Sequence, residues 1–367
     1  MALIDGVPSA GDIVAGKYIL RERLGEGGMG IVFLADQPSL GRTVAIKLLQ
    51  PALTGCDALV RRLHTEAVAA SRVQHPGAVA IIDYGTTAEG TPFIAMEHVP
   101  GRSLRQLLVE EEIPLLRALE IVQQLLRTLK AAHACGVIHA DIKSDNVIVE
   151  HTAEGDTVTL IDFGLARLDG RWEHGDCVSG TPEYMAPELV RGEPPTVPTD
   201  LYGVGVILYE LLTGRTPFEG GSSDEVLRRQ LEDEVIPPSL WRPDRDIPAA
   251  LDLIVLRALH KDPRARFASV AELAAALAAI SRVVAQRDAA TRGLGERRPA
   301  TPARRPPAVT REAPTSCELP RRLHGAERPS RGGAVPAQPA SAPASRSTGA
   351  CSPEWVTHSE APLRRAS

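Results

Sequence analysis

The stretch Gly25-Glu26-Gly27-Gly28-Met29-Gly30-Ile31-Val32 runs out of one apolar segment straight into another. Glycines at such spacing let a backbone approach phosphate oxygens closely and turn N–H groups toward them. The same G-x-G-x-x-G pattern opens a helix in dinucleotide-binding βαβ units. Here "IVFLAD" continues directly from Gly30, β-branched and apolar, so the glycines are read as a hairpin between two strands. That context argues against a nicotinamide-dependent oxidoreductase. It leaves two readings open, a plain turn and a phosphate-covering loop.

The hairpin belongs to a longer pattern. Across residues 17–99, "YILRERLG", "IVFLAD", "TVAIKLL", "VAIIDYG" and "PFIAMEHV" are short apolar runs bounded by turn residues, as strands are. Between the third and fourth, "CDALVRRLHTEAVAASRV" carries its apolar residues at helical spacing. From residue 103 the period changes to that of helices. "PLLRALEIVQQLLRTLKAAHACG" ends at Gly136 and "TDLYGVGVILYELLTG" at Gly214, both C-terminal stop signals. The second run is apolar all round, as a fully buried helix is. "PAALDLIVLRALH" and "SVAELAAALAAI" supply two more helices. The plan is α+β, with a small β-rich lobe and a larger helical lobe joined near 97–101.

Composition excludes several classes. The net charge of −5 hides a split: residues 287–367 hold 14 Arg against 7 Asp plus Glu, about +7, which leaves about −12 on the remainder. A nucleic-acid-binding domain needs a basic folded face, and this one is acidic. Cys56, Cys135, Cys177, Cys317 and Cys351 are scattered without paired spacing, which fits a reducing compartment and no zinc site. No run approaches the ~18 apolar residues of a membrane span, and no leader pattern opens the chain. The expectation is a cytoplasmic protein. The last stretch, "RRPATPARRPPAVTREAPTS" and onward, has too few large apolar residues to offset its ordering entropy, so 283–367 is expected to be a disordered tail.

Chemistry concentrates in four further pieces. Lys47 ends "VAIK"; beside a Gly-rich hairpin it could reach the α- and β-phosphates of a nucleotide, although a strand-ending Lys is often only a solvated charge. To be held there it needs an acid, and Glu66 on the following helix, near Leu63 and Val68, is the candidate. "VIHADIKSDNVIV" sets Asp141, Lys143 and Asn146 between two apolar pieces. Such an Asp could orient or accept a hydroxyl proton, the Lys could neutralise a transferred phosphoryl group, and the Asn could hold a metal ion. "DFG", Asp162 to Gly164, offers the second oxygen ligand. Few protein oxygens completed by phosphates and water is the arrangement Mg²⁺ favours, with Mn²⁺ as a substitute.

With these pieces in this order, the chain resembles the eukaryotic-type (Hanks-type) serine/threonine protein kinases of bacteria. The resemblance rests on the glycine loop at 25–32, "VAIK" at 44–47, "HADIKSDN" at 139–146, "DFG" at 162–164, "APE" at 186–188 and "DLYGVGV" at 200–206. It covers 17–282 as a kinase domain (N-lobe 17–98, C-lobe 99–282), leaving 1–16 as an N-terminal extension. The family implies transfer of the ATP γ-phosphate to protein Ser or Thr, autophosphorylation included. By resemblance, Lys47 and Glu66 pair over the phosphates, Asp141 and Lys143 serve the transfer, and Asn146 and Asp162 hold Mg²⁺. Gly25, Glu26, Gly27, Gly28, Met29 and Gly30 would cover the phosphates. Leu24, Val32, Ala45 and Ile148 would sandwich the adenine, Met96 would guard the back of its pocket, and the backbone of Glu97 and Val99 would bond its edge. Glu188 would pair with Arg266. The rival reading is a nucleotide-binding pseudokinase scaffold that recruits partners through its tail; retention of Lys47, Asp141 and Asp162 speaks against it.

One residue departs from the family. Ala140 stands where most members carry an Arg that receives an activation-loop phosphate. Alanine offers no donor, so the expected consequence is an active shape that does not depend on loop phosphorylation. Ser179 and Thr181 are the hydroxyls left near that loop, with Thr181 read as structural. Asp145 admits two readings, a contact for substrate Arg or a solvated loop acid. The terminal "LRRAS" makes Ser367 a candidate autophosphorylation site, and Pro-rich pieces such as "ARRPPAV" could dock a partner.

Overall fold

The computed structural model describes residues 8–27, 30–163, 167–168 and 180–296. In the N-terminal lobe, β1 (Ile13–Val14), β2 (Tyr18–Glu26), β3 (Gly30–Gln37) and β4 (Arg42–Leu49) are followed by helix α1 (Asp57–Arg72), then β5 (Ile81–Thr86) and β6 (Pro92–Glu97). The six strands form one antiparallel sheet in the order β1-β2-β3-β4-β6-β5. One face buries Tyr18, Leu20, Phe33, Val44, Ile46 and Phe93 in a compact cluster. On the other side Leu63 and Ala67 of α1 pack on Leu49 and Ile94. Alternate residues of β4 therefore serve opposite faces, as the strand period of two demands.

The glycine hairpin is present as read. Gly25 lies opposite Val32 and Glu26 opposite Ile31, and the Gly27 N–H closes the turn onto the Gly30 carbonyl at 2.9 Å. Gly30 is there for space: a Cβ on it would sit 2.6 Å from the Leu48 carbonyl oxygen. Strand β1 corrects one boundary, because Ile13 and Val14 join the sheet from within the stretch expected to be an extension at 1–16.

The second lobe begins with β7 (Arg102–Ser103), α2 (Leu104–Glu110) and α3 (Leu115–Ala134). Then come β8 (Val137–Ile138), β9 (Val147–Thr152), β10 (Gly155–Leu160) and β11 (Arg167–Leu168). The remaining helices are α4 (Pro187–Val190), α5 (Val197–Thr213), α6 (Ser223–Glu232), α7 (Pro238–Trp241), α8 (Ala249–Ala258) and α9 (Val270–Glu296). Helix α3 buries Leu119, Ile121, Val122, Leu125, Leu126 and Leu129 on one face and stops at Gly136, whose φ of +71° suits a residue without Cβ. Helix α5 starts with a reciprocal cap between Thr196 and Thr199, ends at Gly214 (φ +79°), and is buried along almost its entire length. It is the axis of the main core. Gly203 lets the segment around Ile142 lie directly on it, since a Cβ there would come within 2.7 Å of Ile142 Cβ.

The tail boundary also moves. Helix α9 runs on to Glu296, so the stretch after 282 starts as helix and not as disordered chain; "SRVVAQRDAATR" is polar enough to mask a helical continuation that Ala and Arg readily support. Residues 297–367, with "ARRPPAV" and Ser367, lie outside the described residues. No helix among the described residues is long and apolar enough to cross a membrane.

Candidate active site

Register sets the upper half of the site. Residues on β4 face two neighbours: Ala45 lies opposite Met96, and Lys47 lies between Val32 and Ile94. Val32 is in turn opposite Gly25. The residues expected on the adenine side and the glycine hairpin are thus held on adjacent strands, with Leu24 half exposed and Ala45 buried. Met96 packs against both the C-lobe core and the α1-side cluster. The Glu97 N–H is already donated to the Ala80 carbonyl at 2.9 Å, so only its carbonyl is left for an adenine edge. Val99 and Ile148 are partly buried in the connection and on β9. Gly28 and Met29 lie outside the described residues, whereas the Glu26 carboxylate and Gly27 carbonyl are tied to Gln50.

Lys47 does not face water. Its Nζ donates to Glu66 Oε1 at 2.7 Å and to Asp162 Oδ1 at 2.9 Å, joining a strand, a helix and the start of the "DFG" segment. Glu66 is only 3% exposed, so its carboxylate does not face solvent. Burial alone would lower the Lys47 ammonium, but Asp162 and Glu66 outweigh it and hold it above its usual range. One positive charge cannot satisfy equally the buried Glu66 carboxylate and the partly exposed Asp162 carboxylate. Burial would raise Asp162, yet the pull of Lys47 keeps it well below the carboxylate range. Glu66 takes the opposite course: burial pushes it up to about 7 against the attraction of Lys47.

The lower half is the loop after β8. Asp200, at the first turn of α5, accepts from the backbone N–H groups of His139 (3.0 Å) and Ala140 (2.7 Å) and pairs with His133 Nε2 at 2.7 Å. This clamp holds Ala140 in a left-handed conformation, φ +62°, that costs a non-glycine residue about 1 kcal/mol. Asp162 is also left-handed, φ +58°, and the His139 ring lies 4.7 Å from that of Phe163. Asp141 Oδ2 pairs with Lys143 Nζ at 3.0 Å and accepts from Asn146 Nδ2 at 3.2 Å. Asn146 Nδ2 donates to the Asp141 carbonyl as well, at 2.9 Å, and the Asn146 carbonyl accepts from Ile161 N–H, which brings residue 146 beside 162. Lys143 Nζ reaches Thr181 Oγ1 at 3.2 Å.

Lys47, Glu66, Asp162, Asp141, Lys143 and Asn146 thus meet in one cleft. Because Asn146 spends its amide N–H groups on Asp141, its Oδ1 is left as an acceptor beside the anionic Asp162. One carboxylate and one amide oxygen form a hard donor set that fits a small divalent cation whose other ligands are phosphates and water. Asp145 is exposed, near enough to Arg105 to raise that guanidinium slightly, after its partner Glu210. Ser179 lies outside the described residues. Glu188 and Arg266 form a bidentate pair at 2.7 and 2.8 Å, both almost fully buried.

Three supporting residues were given no role from sequence: Asp200, Glu210 and Gln230. Each had a signal. A charged or amide side chain inside an otherwise apolar helical run is buried only with partners, so Asp200 and Glu210 within "TDLYGVGVILYELLTG" imply groups that must come to meet them. What those groups are depends on chain crossings the pattern does not encode.

Residues 18–277 match the protein kinase domain family. The chain is 42% identical over 291 residues to serine/threonine-protein kinase pkn3 of Myxococcus xanthus, covering 77% of this chain and 53% of that protein. It is 39% identical over 277 residues to serine/threonine-protein kinase PknD of Mycobacterium tuberculosis, covering 74% and 40%. The chain therefore spans about half or less of these curated relatives. Among solved structures, the kinase domain of Mycobacterium tuberculosis PknI aligns with a TM-score of 0.58 at 29% identity, covering 74% of this chain and 98% of that one. The two-lobed fold, the assembled cleft and these relatives agree that the chain belongs to the protein kinase family, in its bacterial serine/threonine branch.

Proposed function

We propose that this chain is a serine/threonine protein kinase that transfers the γ-phosphoryl group of ATP to protein hydroxyls, its own included. The observation that carries the reading is the joining of Lys47 to both Glu66 and Asp162 across the same cleft that holds Asp141, Lys143 and Asn146. In this reading Lys47 binds the α- and β-phosphates, and the hairpin at 25–30 covers them with backbone N–H groups. Asp141 orients the acceptor hydroxyl and takes its proton. The hydroxyl oxygen forms a bond to the γ-phosphorus as the bond to the β–γ bridging oxygen breaks, and ADP leaves. Lys143 offsets charge on the transferred group. Asn146 and Asp162 would hold Mg²⁺, or Mn²⁺ in its place, which supplies charge neutralisation at the phosphates.

The need for ATP favours a cytoplasmic location for this domain, and the Pro-rich tail is assigned to partner docking. The test is transfer of labelled γ-phosphate to the chain itself and to histone, comparing wild type with Asp141→Asn. Loss of general-base help is expected to cut the rate about 10²–10⁴-fold. ATP binding without transfer by wild type would favour the pseudokinase scaffold instead.

A further inference from the structure

The segment Thr181–Tyr184, which follows the activation loop and touches the catalytic residues, is held from three sides. Lys143 bonds the Thr181 hydroxyl. Tyr184 OH donates to Glu210 Oε2 at 2.5 Å and lies 2.7 Å from Ser144 Oγ, while Arg105 pairs with the other oxygen of Glu210 at 2.9 Å. The third anchor comes from α6. Gln230 Nε2 donates to the carbonyls of Pro182 (3.1 Å) and Glu183 (2.8 Å), two consecutive peptide groups. Its Oε1 accepts from the Tyr202 hydroxyl on α5, and its own backbone carbonyl accepts from Lys261 Nζ at 2.7 Å.

Gln230 is completely buried, with every hydrogen-bonding atom of its side chain used. A buried carboxamide is costly unless all its atoms are paired. The partners its amide nitrogen has found are not core atoms but the main chain of the segment beside Lys143. Two N–H bonds to adjacent carbonyls fix two peptide planes at once, and with them the direction in which residues 182–184 run on from Thr181 beside Lys143. The same segment has no help from residue 140, where alanine offers nothing to a phosphate.

We infer that Gln230 is a positioning residue for the protein substrate: through the Pro182 and Glu183 carbonyls it sets the shelf on which the chain bearing the acceptor hydroxyl lies. This rests on the kinase reading. Its effect falls on substrate docking more than on the chemical step, because Lys47, Asp141 and Asp162 are anchored by other groups and Lys143, besides its bond to Thr181, is held by Asp141 at 3.0 Å.

The test is initial-rate kinetics with histone and ATP for wild type, Gln230→Met and Gln230→Glu, with thermal melts alongside. Gln230→Met removes both donors at similar volume. Its KM for histone is expected to rise about tenfold, with kcat and the KM for ATP changed by less than about twofold. Gln230→Glu keeps the acceptor for Tyr202 and loses both donors when ionised. Its histone KM should exceed that of wild type more at pH 8 than at pH 6, where a protonated carboxyl restores one donor, with kcat and the KM for ATP following wild type at both; a purely structural amide would move all three together. If Gln230→Met gives no cooperative melt, the pH dependence of Gln230→Glu decides. A histone KM equal to wild type in the folded variant, or KM for ATP and kcat failing together with it, overturns the inference. Absence of histone labelling by wild type would strike the kinase reading itself, and is seen before any variant is compared.

Discussion

The Arg266–Glu188 pair in the helical lobe and the Lys47–Glu66 pair in the cleft are both buried, but their hydrogen-bonding capacity is spent differently. Arg266 uses all three guanidinium nitrogens: on both Glu188 oxygens and on the carbonyls of His260, Pro198 and Lys261. Glu188 Oε1 accepts in addition from Thr199. Nothing is left over, and α4, α5 and the loop before α9 are pinned together. Lys47 has two carboxylates for one charge, and burial, with the Asp162 charge adding to it, pushes Glu66 up to about 7. A closed pair fixes geometry. A pair with surplus negative charge around a cation is poised to exchange partners, as binding a polyphosphate and a divalent cation requires.

Substituting the two cations separates these roles. Lys47→Met is expected to lower the rate of phosphoryl transfer about 10²–10³-fold, by analogy with loss of a single electrostatic contact to the reacting group. The melting temperature should hardly change, because Glu66 can take a proton near neutral pH. Arg266→Met should do the reverse, costing about 3–5 kcal/mol of stability by stranding the Glu188 carboxylate, while any folded fraction retains its KM for ATP. Equal destabilisation by both variants, measured by thermal or urea unfolding, would break the distinction.

The pH dependence sharpens it. Glu66 sits near 7 in the folded chain against an ordinary value of 4.5, so the folded state binds this proton more tightly. Its contribution to stability is therefore complete below pH 4.5 and is lost as pH rises through 7. Activity should run the other way, because the ionised carboxylate is the form that pairs with Lys47. kcat/KM for ATP should fall on the acid side with a midpoint near 7, and Glu66→Gln should flatten that limb. The smallest effect is expected at the activation loop. With Ala140 unable to receive a phosphate, and the cleft pairs formed without one, phosphatase-treated Ser179→Ala should transfer phosphate within about twofold of wild type. An inactive variant beside a fast phosphorylated wild type would show that loop phosphorylation is required after all.

Much of this was legible from residues in order. The hairpin could be told from a helix-opening loop because "IVFLAD" follows Gly30 without a break, and the helices declared themselves by apolar spacing ended by Gly136 and Gly214. Glu66 is picked out as the candidate acid because it lies near Leu63 and Val68 on the helix that follows Lys47. The supports were not legible. Asp200, Glu210 and Gln230 satisfy backbone and hydroxyl groups up to 61 residues away, and no local pattern names such partners. The two chain boundaries slipped for a different reason: β1 is too short, and the end of α9 too polar, for a periodic signal.

The sequence by itself determined which chemical groups this protein brings to bear and on which kinds of element they sit, because residue type and local period are one-dimensional properties. Only the tertiary structure decided their condition. The charge surplus around Lys47, the strained backbone at Ala140 and the grip of Gln230 on Pro182 and Glu183 arise where distant segments cross in a low-dielectric interior. There the cost of leaving any polar group unpaired selects one arrangement among many.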